Sequence, residues 1–230
     1  MTSLPYRSAL IVGAGSGISA SVARALAAQG VKVGLAARNT EKLAALAAET
    51  GAATFQVDAS DPTAVANLFE AADAEIGEPD VVIYNASGRL RGPIAELDPA
   101  AVAQALAVTA YGAFLVTQQA AKRMQTHGRG AILLTGATAG IKGFALSAPF
   151  AMGKFALRGL AQSAARELGP KGIHVAHFVI DGAVRSSRHP DTSDNTLDPD
   201  AIAQSYLDVL RQPRSAWSLE VELRPWVENF

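Results

Sequence analysis

The sequence predicts an α/β fold: a parallel β-sheet with helices packed on both faces. Three observations lead there. Short apolar runs rich in β-formers alternate with longer, alanine-rich segments of helical pattern. Two of those runs, Ala9-Leu10-Ile11-Val12 and Val81-Val82-Ile83-Tyr84, are apolar at every position, as strands buried on two sides must be. A glycine-rich turn, Gly13-Ala14-Gly15-Ser16-Gly17, separates the first run from the first helical segment.

The elements follow in order. Ala9–Val12 is the first strand, and Ile18–Gln29 the first helix, stopped by Gly30. Val31–Ala36 is a second strand, and Glu41–Glu49 a second helix that ends before Gly51. Thr54–Val57, Val65–Ala74 and Asp80–Tyr84 continue as strand, helix and strand. Pro99 to Met124 reads as one long helical region. Ala131–Leu134 is the fifth strand, Phe150–Leu168 a helix and Ile173–Ile180 the sixth strand. A polar stretch, Arg185–Asp198, precedes a helix near Ala201–Leu210 and a strand-like Ser218–Leu223. We expect one domain over residues 1–230, with a lid-like segment at 185–212 inserted before the last strand.

Composition narrows the function classes. A net charge of −1 without long single-sign runs gives no footprint for nucleic acid or a membrane surface. The absence of cysteine excludes disulfides, thiolate nucleophiles and cysteine-ligated metals. No signal peptide fits the short polar start, and no apolar stretch approaches the roughly 20 residues of a membrane helix. A cytoplasmic location is the expectation. His174 and His177 fall on opposite faces of one strand, and His127 and His189 sit in polar loops, so no metal site is expected.

The glycine turn points to a phosphate. Side chains would keep a phosphate from the backbone, and a helix N-terminus offers unpaired N–H groups and the positive end of a dipole. Gly13, Gly15, Ser16, Gly17 and Ile18 form such a place between strand and helix, as in dinucleotide folds. An acidic residue about 20 positions further on often holds the adenine-side ribose. Here the second strand ends in Leu35-Ala36-Ala37-Arg38-Asn39, with an arginine and no carboxylate. A guanidinium suits a 2′-phosphate, so NADP(H) is expected over NAD(H).

Together these features resemble the short-chain dehydrogenase/reductase family from about Ser8 to Ser186. Asp58 matches the family's adenine-contacting acid. Asn85-Ala86-Ser87-Gly88 resembles its Asn-Ala-Gly segment, and Gly140, Gly143 and Lys154 keep the spacing of its active-site segment. The resemblance implies a Rossmann-like, doubly wound parallel sheet of about seven strands and a homodimer or homotetramer. It also implies cofactor contacts from Asn85, Ala86, Val184 and Ser186, and from Lys154 to the nicotinamide ribose.

The departures concern chemistry. The family's tyrosine, four residues before the lysine, falls on Phe150; its serine falls on Ala137; its asparagine falls on Thr109. The last glycine of the phosphate turn is Ser19, and the Pro-Gly after the sixth strand is Asp181-Gly182. Carbonyl reduction needs a hydride to carbon and a proton to oxygen; in the family the cofactor supplies the first and the tyrosine the second. Phe150 and Ala137 do neither the tyrosine's nor the serine's work. Among nearby hydroxyls, Thr138 should point away from Ala137 in an extended segment, Tyr111 lies nearly opposite Thr109 on a helix, and Ser147 lies in a loop. Asp181, just past the sixth strand, is either a new acid of the site or only part of an Asp-Gly turn. Two functions follow. One is an NADPH-dependent reductase of an unidentified small molecule, an activated alkene or imine in place of a simple ketone. The other is an inactive NADP(H)-binding sensor or assembly subunit.

Overall fold

In the computed structural model, residues 4–186, 189–191 and 193–228 are described. Among them the strands are β1 (Ser8–Val12), β2 (Lys32–Ala37), β3 (Ala53–Gln56), β4 (Val81–Tyr84), β5 (Gly130–Thr135), β6 (Ile173–Ile180) and β7 (Glu220–Leu223). They form one sheet in the order β3-β2-β1-β4-β5-β6-β7, and every pairing is parallel. The order reverses between β1 and β4. This is the switch point outside which ligands bind in open parallel sheets.

Alternation along the strands feeds two cores. Ile11, Leu35, Ile83, Leu133 and Phe178 turn to one face, under α1 (Ile18–Ala28) and α7 (Pro199–Leu210). Leu10, Val12, Val82, Tyr84 and Leu134 turn to the other, under α3 (Pro62–Ile76), α5 (Gly112–His127) and α6 (Ala148–Leu168). The remaining helices are α2 (Ala44–Thr50) and α4 (Pro99–Leu106). Three helices start with the same device, an Asp N-cap followed by Pro: Asp61-Pro62, Asp98-Pro99 and Asp198-Pro199. The carboxylate accepts from the first free N–H groups, and proline loses nothing at a position with no intrahelical partner.

Three expectations change. The helical region from Pro99 runs to His127, but a π-turn at Ala107–Tyr111 interrupts it, where the Tyr84 hydroxyl donates to the Val108 carbonyl. That run is also long and apolar enough to cross a membrane, which the residue-by-residue reading had excluded. Part of its apolar surface is occupied: Ala113, Leu115, Val116, Ala120 and Met124 belong to the core under the sheet, while Tyr111 and Phe114 stay outside it. Finally, the lid expected at 185–212 does not extend that far. α7 is a core helix in which Ile202, Tyr206 and Leu207 are buried, and Tyr206 stacks on Phe178 at 3.7 Å between ring centroids. What precedes it is held by bridges from Val184 to Leu197 and from Ser186 to His189, and by the Arg185–Asp198 ion pair at 2.8 Å. Residues 187, 188 and 192 of this stretch lie outside the described residues.

Candidate functional site

The glycine turn begins where β1 ends. The N–H groups of Gly13 and Ala14 both donate to the Ala36 carbonyl, at 2.9 and 3.0 Å. Gly13 has φ +86°, and a Cβ there would sit 2.2 Å from the backbone nitrogen of Ala86, so only glycine fits. Gly15 and Gly17 have the opposite surroundings: a Cβ would meet nothing within 4 Å. Ser16 is exposed at the tip, and Gly17 caps α1 without any side-chain bond. The first N–H groups of α1 therefore face an open space bounded by glycine, which is what a diphosphate requires. Ser19 replaces the family's third glycine and is put to use. Its hydroxyl donates to the Gly13 carbonyl at 3.3 Å and accepts from the Asn85 amide at 2.7 Å, joining the turn to the end of β4.

Two cavities open on this edge. The first, about 540 Å³, is bordered by Gly13, Arg38, Lys42, Asp58, Asn85 and Ala86. Hydrogen bonds from the Ser60 hydroxyl and backbone N–H hold Asp58 below the usual carboxylate range, and Arg38 adds to this. The residues therefore suit an adenosine with a 2′-phosphate: an acid for the base side and two cations, Arg38 and Lys42, for the phosphate. Sequence reading missed Lys42. Its only signal was its place one turn past Arg38, in a segment taken for plain helix.

The second cavity, about 660 Å³, runs from Gly15, Gly17 and Ile18 to Lys154 and Phe150 and on to Val184 and Ser186. Lys154 is 3% exposed, and its ammonium donates to the Thr135 carbonyl at 2.7 Å. Burial, with a smaller contribution from the Arg89 cation, lowers its pKa to about 7. Phe150 and Ala137 both line the cavity at the positions where the resemblance places hydroxyls. Two cations approach the Phe150 ring, the Arg89 guanidinium at 5.1 Å and the Lys154 ammonium at 5.7 Å from its centroid. Thr109, on the π-turn, is buried away from the cavity. Its hydroxyl accepts from the Gly88 N–H at 2.8 Å, and its methyl side packs on Gly153. It braces the loop after β4 against α6.

The candidate hydroxyls fall differently from expectation. Thr138 does border the cavity beside Ala137, because the extended backbone at Ala137 passes straight into a 3₁₀ turn at Thr138–Gly140 and the two-residue alternation is lost. Ser147 also lines it, at the N-cap of α6. Asp181 is corrected as an acid of the site. It is buried, but it is not among the residues facing the cavity, and its carboxylate accepts from the Thr138 hydroxyl at 2.5 Å. It anchors the segment that carries Ala137. Gly182 makes the turn, with φ +141° and no room for a Cβ against Pro225.

The histidines of β6 are occupied elsewhere. His174 stacks on Trp217 and bonds the Ser218 carbonyl, and His177 pairs with Glu220. Sequence reading also missed Arg89 and Arg91, which line the cavity wall past Asn85-Ala86-Ser87-Gly88. Loop arginines are common, and nothing local to those residues distinguishes these two from solvated ones.

Comparisons with known proteins agree with this geometry. The family model for short chain dehydrogenases matches residues 7–195. An uncharacterised oxidoreductase of Staphylococcus aureus (strain USA300) is 29% identical over 231 residues, covering 98% of this chain and 100% of that protein. A short-chain dehydrogenase structure from Rhodopseudomonas palustris is 36% identical, with TM-score 0.83, covering 96% of this chain and 99% of that one. A metagenomic short-chain oxidoreductase, solved in complex with NADP, is 30% identical with TM-score 0.86, covering 98% and 100%.

Proposed function

This chain belongs to the short-chain dehydrogenase family, and from that premise we propose that it is an NADP(H)-dependent reductase acting on an activated alkene or an imine in place of a simple ketone. The observation that carries the reading is the wall of the larger cavity. A glycine-lined phosphate turn at one end is continuous with a site at the other, where Phe150 and Ala137 stand in place of hydroxyls beside a buried Lys154. The preference for NADP(H) is supported by Arg38 and Lys42 bordering the adenine-side cavity, and by the NADP complex of the 30%-identical structure.

When bound, the cofactor supplies a hydride. The chain's own residues orient and neutralise. The N–H groups of α1 and the glycine turn receive the diphosphate, and Arg38 and Lys42 the 2′-phosphate. Phe150 and Ala137 present no acid to the cavity. Lys154, whose pKa burial lowers to about 7, is divided between ammonium and amine near neutral pH, and its Nζ donates to the Thr135 carbonyl. An iminium substrate brings its own positive charge and needs no acid at nitrogen. An activated alkene takes the hydride at one carbon and a proton from solvent water at the other, so the tyrosine geometry of the family is not required.

The test is steady-state NADPH oxidation with a cyclic imine, an enone and a ketone of matched size. Turnover of the imine or enone at least tenfold above the ketone is expected. Robust reduction of the ketone overturns the proposal. Tight NADPH binding with no turnover on any of the three overturns it in favour of a sensor or assembly subunit, a reading the same two replacements favour.

A further inference from the structure

Resting on that reading, we propose that the substrate is a small carboxylate with an apolar body, its anionic group received by Arg89 and Arg91. The cavity is bordered by Arg89, Arg91, Lys154, Arg185 and His189, and by no aspartate or glutamate among the described residues. Of the arginines, Arg185 is already paired with Asp198. Arg89 and Arg91 have no carboxylate partner among the described residues.

The cofactor does not account for them. Its diphosphate has the glycine turn and the open N-terminus of α1, and its 2′-phosphate has Arg38 and Lys42 in the other cavity. Arg89 and Arg91 line the larger cavity instead. Arg89 lies over the face of Phe150, the residue at the family's proton-donor position. The strand-end loop that carries them is held in place: the Gly88 N–H donates to Thr109, and the Gly92 N–H donates to the Leu146 carbonyl at 3.0 Å. Leu146 takes φ +63° to serve there, a conformation L side chains rarely adopt. Two planar guanidinium forks on a braced loop are suited to bidentate capture of a carboxylate. The rest of the wall, Ala137, Ala139, Phe144 and Phe150, suits an apolar body.

The experiment is calorimetry on the NADP⁺-loaded protein with matched pairs: cinnamate and cinnamamide, tiglate and its amide. In each pair the acid is expected to bind at least tenfold more tightly. Arg89→Gln with Arg91→Gln should abolish the difference while NADP⁺ affinity stays within threefold of wild type; Arg89→Lys should restore part of it. Acids that bind no better than their amides overturn the inference, as does a preference that survives the double substitution. Loss of NADP⁺ affinity in the double variant also overturns it, since the arginines would then serve the cofactor. Failure of the underlying reading is distinguishable: it shows as NADPH oxidation absent with the imine and the enone, or no faster with them than with the ketone, in the turnover assay, whatever the binding difference between acid and amide.

Discussion

On the proposed reading, Phe150 and Ala137 set the chemistry open to this chain. A positioned acid contributes typically ~10²–10⁴ in rate, and the cavity offers none at the family's position. Phe150→Tyr together with Ala137→Ser should therefore raise reduction of simple ketones by about 10²-fold or more, measured as kcat/KM. A ketone rate unchanged by the pair would mean that the surrounding geometry, and not the missing hydroxyls, sets the limit. Lys154 makes a second prediction. Its folded pKa of about 7 lies below the ordinary lysine value of 10.5 because burial disfavours the cation. Between those two values the unfolded chain binds more protons than the folded one, so stability contributed by this group rises with pH from about 7 to 10.5 and is lost as pH falls through 7. The slope is at most ~1.4 kcal/mol per pH unit. Urea unfolding at several pH values should show this rise in wild type and its absence in Lys154→Met; equal slopes would place the lysine in a wetter environment. At the other end of the site, Arg38→Asp should erase or reverse a preference for NADPH over NADH. Equal affinities in wild type, by calorimetry, would refute the assignment of Arg38.

The elements explain why these side chains meet. The phosphate turn works because β1 and β4 are neighbours, which brings Asn85 and Ala86 against Gly13 and leaves Gly15 and Gly17 facing open space. Gly13→Ala should therefore do double damage. The methyl group would collide with the Ala86 backbone, and the positive φ would be strained at a typical cost of about 1–3 kcal/mol. Lower stability in denaturant, with loss of NADPH binding, is expected; Gly15→Ala, with space around it, should fold normally. Wild-type stability in the Gly13 variant would show that the turn relaxes freely. The π-turn in the central helix has a comparable role. It turns Thr109 into the protein, where its hydroxyl holds the Gly88 N–H and so fixes the loop that carries Arg89.

At the scale of the molecule, both faces of the sheet are covered, yet large apolar side chains remain outside. Tyr111 and Phe114 on the central helical run, and Met152 and Phe155 on α6, are each about half exposed. A monomer rarely leaves such side chains bare on adjacent long helices. We propose that these helices form the contact of a homodimer or homotetramer. Light scattering at micromolar concentration should give two or four times the 23.8 kDa chain mass. Phe114→Asp with Phe155→Asp should reduce it to one. A wild-type mass of one chain would count against the interface.

Much of this architecture was legible before any coordinate. Strand and helix periods and the glycine turn are local signals, written in residues close together in the chain; the Asp61-Pro62 and Asp198-Pro199 starts went unread, and those helices begin before Val65 and Ala201. The order of the landmarks was enough to locate Arg38, Asp58, Asn85, Phe150 and Lys154 at one sheet edge. What sequence left undecided were contacts between distant residues and departures from regular periodicity. Thr138 was expected to point away because alternation was assumed to continue past Ala137; a 3₁₀ turn ends it, and Thr138 reaches the cavity and the Asp181 carboxylate. Asp181 was one residue past an apolar strand on either reading, and only the fold brings it within hydrogen-bonding reach of a residue 43 positions earlier. The helix Pro199–Leu210 was read as part of a lid, yet Tyr206 completes a core by stacking on Phe178 and bonding Thr135. The sequence by itself determined the parallel sheet, the glycine-rich turn and the phenylalanine and alanine at 150 and 137, because each depends on residue identity at short range. Tertiary structure alone decided that Lys154 is desolvated, that Asp181 is an anchor, and that Arg89 lies over Phe150, because burial and proximity arise only when separate elements pack.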